Sequence, residues 1–421
     1  MLRLSSAPDR LAVAAQAPLY VAARNGYFEV VRCLLERGAD PNASNERGYS
    51  ALHSTCHRGD SKLVDLLLQH GANANVKNSR GDTPLHEAAG GGQNDVIRRL
   101  LSAGVDVNVT GKGKITPLHR SILSKHFATA RYLLERGANP HIQSGSGNTA
   151  LMFAMIASAD DELVDELIRC GPDICTANNS GTTPLMQAVR SAPWHVLKLI
   201  ENGADTLARG VDDITVFHLL AVLEDTTSDH ISHLLKRREH LNVEDDEGMS
   251  PIHYAAQRQN PAMVRLLLEH GAKLNVRDRQ GRTPMHHAVR VFLVDDFRDI
   301  FGDFLPPSSG EGVNFPDYDG WTPLHWACKG VQERIVKLLL SHNALDQVHK
   351  ECIRGWTPWR IAMFHDQEQL LETMAEVIQS QMSAYPSVES HIEPTWPIAP
   401  GTVHRNVLCA DYCYTICLLF S

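Results

Sequence analysis

The sequence predicts an all-α repeat solenoid of helix-turn-helix units joined by β-hairpin loops, and three observations predict it. The string Thr83-Pro84-Leu85-His86 recurs unchanged at 116–119 and 322–325. Looser copies keep its register, so that eleven starts, at 17, 50, 83, 116, 149, 183, 215, 250, 283, 322 and 357, are separated by 32 to 39 residues with a mean of 34. Thirteen residues after each start comes an apolar pattern at i, i+1, i+4 and i+5, as in Val96-Ile97/Leu100-Leu101 and Met263-Val264/Leu267-Leu268. Then follows Gly-Ala-Asp-x-Asn or a relative, as at Gly38–Asn42 and Gly104–Asn108. A fixed period of this length means supersecondary units that bury their apolar faces only by stacking.

Each element has a local cause. The Thr or Ser that opens a unit is an N-cap whose hydroxyl can accept from the N–H groups of the first helical turn. Proline at the next position loses nothing, because its N–H would have no partner there. A glycine after the short first helix, such as Gly26 or Gly59, permits a left-handed turn into the second. The i, i+1, i+4, i+5 spacing gives the second helix one apolar stripe. A glycine at its end (Gly38, Gly71, Gly271) repeats the turn before the loop. The unit at 215–249 departs from this pattern: Leu219-Leu220-Ala221 replaces the usual x-Ala-Ala, no glycine separates its helices, and Arg238 stands where glycine closes the second. It reads as a soft joint. The unit at 283–321 carries about six extra residues within Val294 to Gly312; Phe297, Ile300, Phe301, Phe304 and Leu305 suggest an extended helix before the loop Pro306–Gly310. The final unit is polar about its second helix, with Asp366, Gln367, Glu368, Glu372 and Glu376, as an end cap requires.

Eleven copies in register resemble the ankyrin-repeat family over 17–380. The chain thus divides into a short N-terminal segment (1–16), the solenoid (17–380) and a tail (381–421) with a proline-containing linker and an apolar stretch holding Cys409, Cys413 and Cys417. Two readings of that stretch are open, a lipidation or metal site and a marginal tail. The resemblance also implies a structural hydrogen-bonding role for one repeated histidine, and a concave surface of hairpin tips and first helices that binds partners.

Composition narrows the function. Net charge is −9, without the basic excess of a dedicated nucleic-acid binder. The nine cysteines, an odd number, read as reduced intracellular thiols, and a cytoplasmic or nuclear location is expected. No run approaches the length of a membrane span, so membrane contact could come only through the Cys-rich tail. The 22 histidines invite a search for metal or acid–base chemistry. Seven of them (His53, His86, His119, His218, His253, His286 and His325) share one repeat position, and His70, His270 and His342 share another at the end of the second helix, where an imidazole meets the negative end of the helix dipole. The rest include no His-Glu-x-x-His and no zinc spacing with cysteine. Gly90-Gly91-Gly92 lacks the Lys-Ser/Thr of a phosphate loop, and no Gly-x-Ser-x-Gly occurs. Three glycosylation sequons, at Asn42, Asn108 and Asn178, read as chance matches in repeat loops. No catalytic residue, cofactor, metal site or small-molecule substrate is expected.

Candidate binding residues come from the loops and the inner positions. The early tips are basic (Arg47, Lys77, Arg80, Lys112, Lys114), the tip at Glu244–Glu247 is acidic, and the next is basic again (Arg277, Arg279, Arg282). In the position after the repeated histidine, Tyr254, His287 and Trp326 follow one another and would stack along the inner face. Arg290 and Lys329 lie three residues beyond His287 and Trp326, and Trp321 and Trp356 sit on the adjoining loops. Aromatic rings flanked by cations are a usual hot-spot composition; the competing reading is that such rings only pack on their neighbours. The expected function is a non-catalytic scaffold or adaptor that binds partner proteins. The alternative is a regulatory or targeting subunit, or a fragment, of a larger enzymatic system such as a ubiquitin ligase.

Overall fold

A computed structural model describes residues 18–384 except 172, 224–230, 232–233, 237–239, 291–313, 342–346 and 366. Both chain ends, the insertion in the unit at 283–321, Arg238 and His342 therefore lie outside the described residues. Within them helices come in pairs. Short first helices such as Ala51–Arg58, Pro84–Gly90 and Pro117–Leu123 alternate with second helices such as Ser61–Gln69, Asn94–Ser102 and Phe127–Glu135. First helices pack on first helices of neighbouring units and second on second, giving two layers. The apolar stripe of each second helix (Val64 and Leu67, Ile97 and Leu100) is buried against the leucines and alanines of the first helices. One cluster runs from Leu19 to Val377, and it needs few large aromatics because small helices approach closely. The last helix, Glu368–Ala384, exposes Glu368, Glu372 and Glu376 and buries Leu370 and Met374, as an end cap should.

The loops are turns, not ribbons of strand: among the described residues only an isolated bridge, Ser44 to Ser50, has strand pairing. A side-chain oxygen five residues before the N-cap holds many of them. Asn78 Oδ1, for example, accepts from the N–H groups of Arg80 and Asp82 at 2.8 and 3.0 Å. Most tips then donate a backbone N–H to the previous tip, as in Lys112 to Arg80 at 2.8 Å and Arg279 to Glu247 at 2.8 Å. The asparagines of Gly-Ala-Asp-x-Asn make a second link: Asn42 and Asn108 Oδ1 accept from the N–H of Asn73 and Asn139 at 2.6 and 2.7 Å. The first two sequons are thus occupied by contacts between units.

The repeated histidine closes the joint at six places among the described residues. His53 Nδ1 accepts from the N–H of its own N-cap, Ser50, at 3.1 Å. Its Nε2 therefore carries the proton and donates to the carbonyl of Asp82, 3.0 Å away in the next loop. The same bridge joins His86 to Ile115, His218 to Met249, His253 to Arg282, His286 to Trp321 and His325 to Trp356, at 2.9 to 3.2 Å. In each case the acceptor immediately precedes the next N-cap. The divergent unit at 215–249 keeps this bridge and buries Phe217, Ile231, Leu234 and Leu235. His270, at the end of its second helix, turns Nδ1 onto the Leu266 carbonyl at 2.8 Å.

The turn between paired helices needs a left-handed residue, and not only glycine supplies it. Gly26, Gly59 and Gly92 have φ of 77°, 81° and 74°, whereas Lys125, Ser158, Gln259 and Val331 occupy the equivalent position at 61°, 56°, 54° and 57°. Val331 is β-branched and follows a glycine that adopts ordinary helical φ.

Two outcomes are expected. Val331→Gly should stabilise the array by about 1 kcal/mol, read as a higher urea midpoint. Burial depresses the repeated imidazoles from the ordinary 6.5, to about 4 for His119, His253, His286 and His325. The unfolded chain therefore takes up protons that the folded chain refuses, so stability present above pH 6.5 is lost as pH falls toward 4. Urea titrations across that interval check this, and a flat midpoint would contradict it.

Candidate protein-binding surface

In three units the position five residues before the N-cap is aspartate instead of asparagine: Asp245, Asp278 and Asp317. Oδ1 of each accepts two backbone N–H groups of its own turn, as in Asp245 with Glu247 and Met249 at 2.9 and 2.8 Å. The second oxygen is then aimed at the side chain nine residues on. Tyr254 donates its hydroxyl to Asp245 Oδ2 at 2.6 Å, His287 Nε2 meets Asp278 Oδ2 at 2.8 Å, and Trp326 Nε1 donates to Asp317 Oδ2 at 3.1 Å. An asparagine would present an N–H₂ group to these donors. The pairing of aspartate with a ring donor is thus the signal that sequence reading could have used and did not.

Burial sets the charge states. Desolvation opposes ionisation of Asp278, but the His287 hydrogen bond and Arg282, 2.9 Å away, outweigh it and hold the carboxyl well below the ordinary range. Desolvation raises Asp317, which has donors but no cation of that kind. Burial and Asp245 together push the Tyr254 phenol up, so it remains a donor.

The expected stack of three rings is not what forms. Among the described residues Tyr254 packs edge-on against His218 of the preceding unit, with centroids 5.3 Å apart, and His287 against His253 at 5.4 Å. Phe153 also packs on His119 of the preceding unit, with tilted rings 4.9 Å apart. His287 is 4% exposed, so it supports the face from beneath instead of meeting a partner. Tyr254 is half-buried. Only Trp326 breaks the pattern: its ring lies 5.1 Å from Trp321, and cations cover both rings. The Arg290 guanidinium is 5.0 Å from the Trp326 centroid, and Lys329 Nζ is 5.2 Å from each tryptophan. Arg290 and Lys329 are exposed, and both indoles are partly so. Trp356 instead packs on exposed Phe364 at 5.4 Å, one unit further on.

The loop charges also sort themselves. Asp245 is buried in its turn, so the acidic tip presents only Glu244, Asp246 and Glu247. Arg282 is consumed by Asp278, and Arg277 lies over Phe315 at 5.4 Å while donating to the Pro316 carbonyl. These two are less available than their sequence suggests. Among the described residues no group of three or more His, Cys, Asp or Glu side chains could hold a metal ion, and no helix is long and apolar enough to cross a membrane.

Removing the second oxygen of Asp278 isolates this network. Asp278→Asn should cost about 2 kcal/mol, because it weakens hydrogen bonds to a buried charge. Urea unfolding reads the loss, and an unchanged midpoint would show the Asp278 contacts to be dispensable.

Comparison with known proteins agrees with this architecture. The family described as Ankyrin repeats (3 copies) matches residues 19–111, 52–144, 118–209, 218–297 and 295–382. The chain is 26% identical over 210 residues to the human protein "Transient receptor potential cation channel subfamily A member 1", covering 47% of this chain and 18% of that one. It is 27% identical over 223 residues to human Inversin, covering 52% and 20%. It is 32% identical over 146 residues to Alpha-latrotoxin-Lhe1a of Latrodectus hesperus, covering 34% and 10%. The chain thus spans a fifth or less of the length of these relatives. Repeats of this kind generally mediate protein–protein interaction, and proteins built from them are typically non-catalytic. The period, the paired helices, the histidine bridges and the family match agree that this chain belongs to the ankyrin-repeat family.

Proposed function

We propose that the chain is a non-catalytic interaction scaffold or adaptor of the cell interior that receives partner proteins on the face built from first helices and loop tips. The cluster of Trp321, Trp326, Arg290 and Lys329 carries this reading. Elsewhere the ring after the repeated histidine is spent on packing. Here two partly exposed indoles lie beneath two exposed cations, so a partner gains apolar area and charge at one place. A standard interface of roughly 1,600 Å² would occupy only a few units, which leaves room for a second partner. Tyr254, His287 and Trp356 act as supports and neighbours of this cluster in the proposal.

A second reading follows from the coverage. Human Inversin and the human channel match this chain over only 20% and 18% of their own length. In that reading the array serves as a regulatory or targeting part of a larger system.

Trp326→Ala and the double variant Arg290→Ala/Lys329→Ala are expected to weaken capture of a partner by about tenfold or more, with thermal unfolding close to the parent. Side-by-side affinity capture with quantitative mass spectrometry measures this. If both variants retain the same partners as the parent, the cluster is not the contact surface. If they unfold, the rings serve packing.

A further inference from the structure

At the opposite end of the array the first-helix face holds a cavity of about 550 Å³ lined by Tyr20, Arg24, Arg47, Tyr49, Arg58 and Glu87, among others. Arg24 and Arg58 stand near the ends of successive first helices, and Arg47 comes from the loop between them. Arg58 Nη1 donates to the Arg24 carbonyl at 2.8 Å, which holds its guanidinium across the joint between units. The ion pairs formed among the described residues leave Arg24, Arg47 and Arg58 without a carboxylate partner. Glu87, the one carboxylate in the lining, meets the Tyr49 hydroxyl and stands 3.6 Å from His57 Nδ1.

Three guanidinium groups against one carboxylate leave two uncompensated positive charges in one cavity. They stand in a chain whose net charge is −9, so the cluster runs against the overall balance. Cations that line one cavity repel one another, and the natural relief is an anion that accepts from several forks at once. The cavity has room for more than a bare oxyanion, since pockets of roughly 300–1,000 Å³ accommodate organic ligands. The Tyr20 and Tyr49 rings offer apolar wall to the stem of such a ligand. A phosphate monoester carries about −1.5 to −2 charge and three acceptor oxygens, matching the two uncompensated charges. A single carboxylate would leave one of them unanswered.

We propose that this cavity captures a phosphorylated side chain of a partner polypeptide. The proposal rests on the reading that the first-helix face receives proteins, and it adds a second, chemically distinct contact at the far end from Trp326. Occupancy at both ends would select an elongated partner over a compact one.

The test uses the full chain and four fluorescein-labelled degenerate peptide pools of equal length. Their fixed central residue is phosphoserine, phosphotyrosine, glutamate or serine, and binding is read by fluorescence anisotropy. At least one phosphorylated pool should bind about tenfold tighter than the serine pool, and Arg24→Ala and Arg47→Ala should each reduce that preference about tenfold. Both side chains are exposed, so urea curves of these variants should overlie the parent. Trp326→Ala should leave the phosphate preference intact. Equal binding of phosphorylated and serine pools overturns the assignment, as does a preference that survives both arginine variants. Arginine-dependent binding to phosphatidylserine vesicles without any peptide preference would overturn it in favour of a membrane surface. Loss of the phosphate preference while Trp326→Ala still weakens partner capture removes this inference and leaves the proposed function standing.

Discussion

A serine or threonine that caps a helix leaves its own backbone N–H outside the helix, and the histidine three residues on accepts it. That single acceptance commits the other ring nitrogen to carry a proton, and the proton goes to the carbonyl just before the next N-cap. One neutral imidazole therefore caps its own helix, ends the next loop and sets the spacing of adjacent units. It is buried, and its bonds to backbone at both nitrogens disfavour a charge. The stacking of leucine and alanine faces supplies the apolar driving force, and the bridge pins the register at the joints that have it. The unit at 215–249 has lost its inter-helix glycine and much of its consensus, and it keeps His218 and the Met249 carbonyl 2.9 Å apart.

The loops add a second layer of specification. An Asn or Asp five residues before the N-cap turns the chain equally well, because only one side-chain oxygen is needed for the two N–H groups. The choice between them determines what the other side-chain atom does. Where it is Asp278, a buried carboxylate collects His287 and Arg282 and becomes a packing node. Where it is Asn78, the amide N–H₂ is buried without a partner. The chemical difference of one atom thus separates units that bind their inner side chains tightly from units that do not. Exposure has a different cause: His287 and Trp326 both meet an aspartate, and His287 is enclosed because His253 packs edge-on against it while Arg282 shares Asp278.

Positive charge gathers at both ends of the face, around Arg24, Arg47 and Arg58 and around Arg290 and Lys329. At one end the cations frame a cavity with tyrosine walls; at the other they lie over two indoles. The former suits a compact anion on a stem, the latter a surface with apolar area and acidic neighbours. In the two proposals, one fold carries two recognitions of different chemistry.

The fold was legible in the residues themselves, since each unit states its N-cap, its proline, its helical stripe and its terminal glycine within a few tens of residues. These are local causes, and a repeated local cause fixes a solenoid. The site was legible in part: the positions of Trp326, Trp321, Arg290 and Lys329 followed from the register. Which rings are exposed did not, because exposure depends on what lies across the joint in the neighbouring unit. His287 illustrates this: nothing in its own surroundings shows that Asp278 and His253 will enclose it. The cavity at Arg24, Arg47 and Arg58 was likewise invisible, since its walls come from three units and only stacking brings them together. Sequence by itself determined the units and their order, through short-range hydrogen bonding and periodicity. The tertiary structure alone decided which side chains remain for a partner, because burial and ion pairing are properties of neighbours that are distant along the chain.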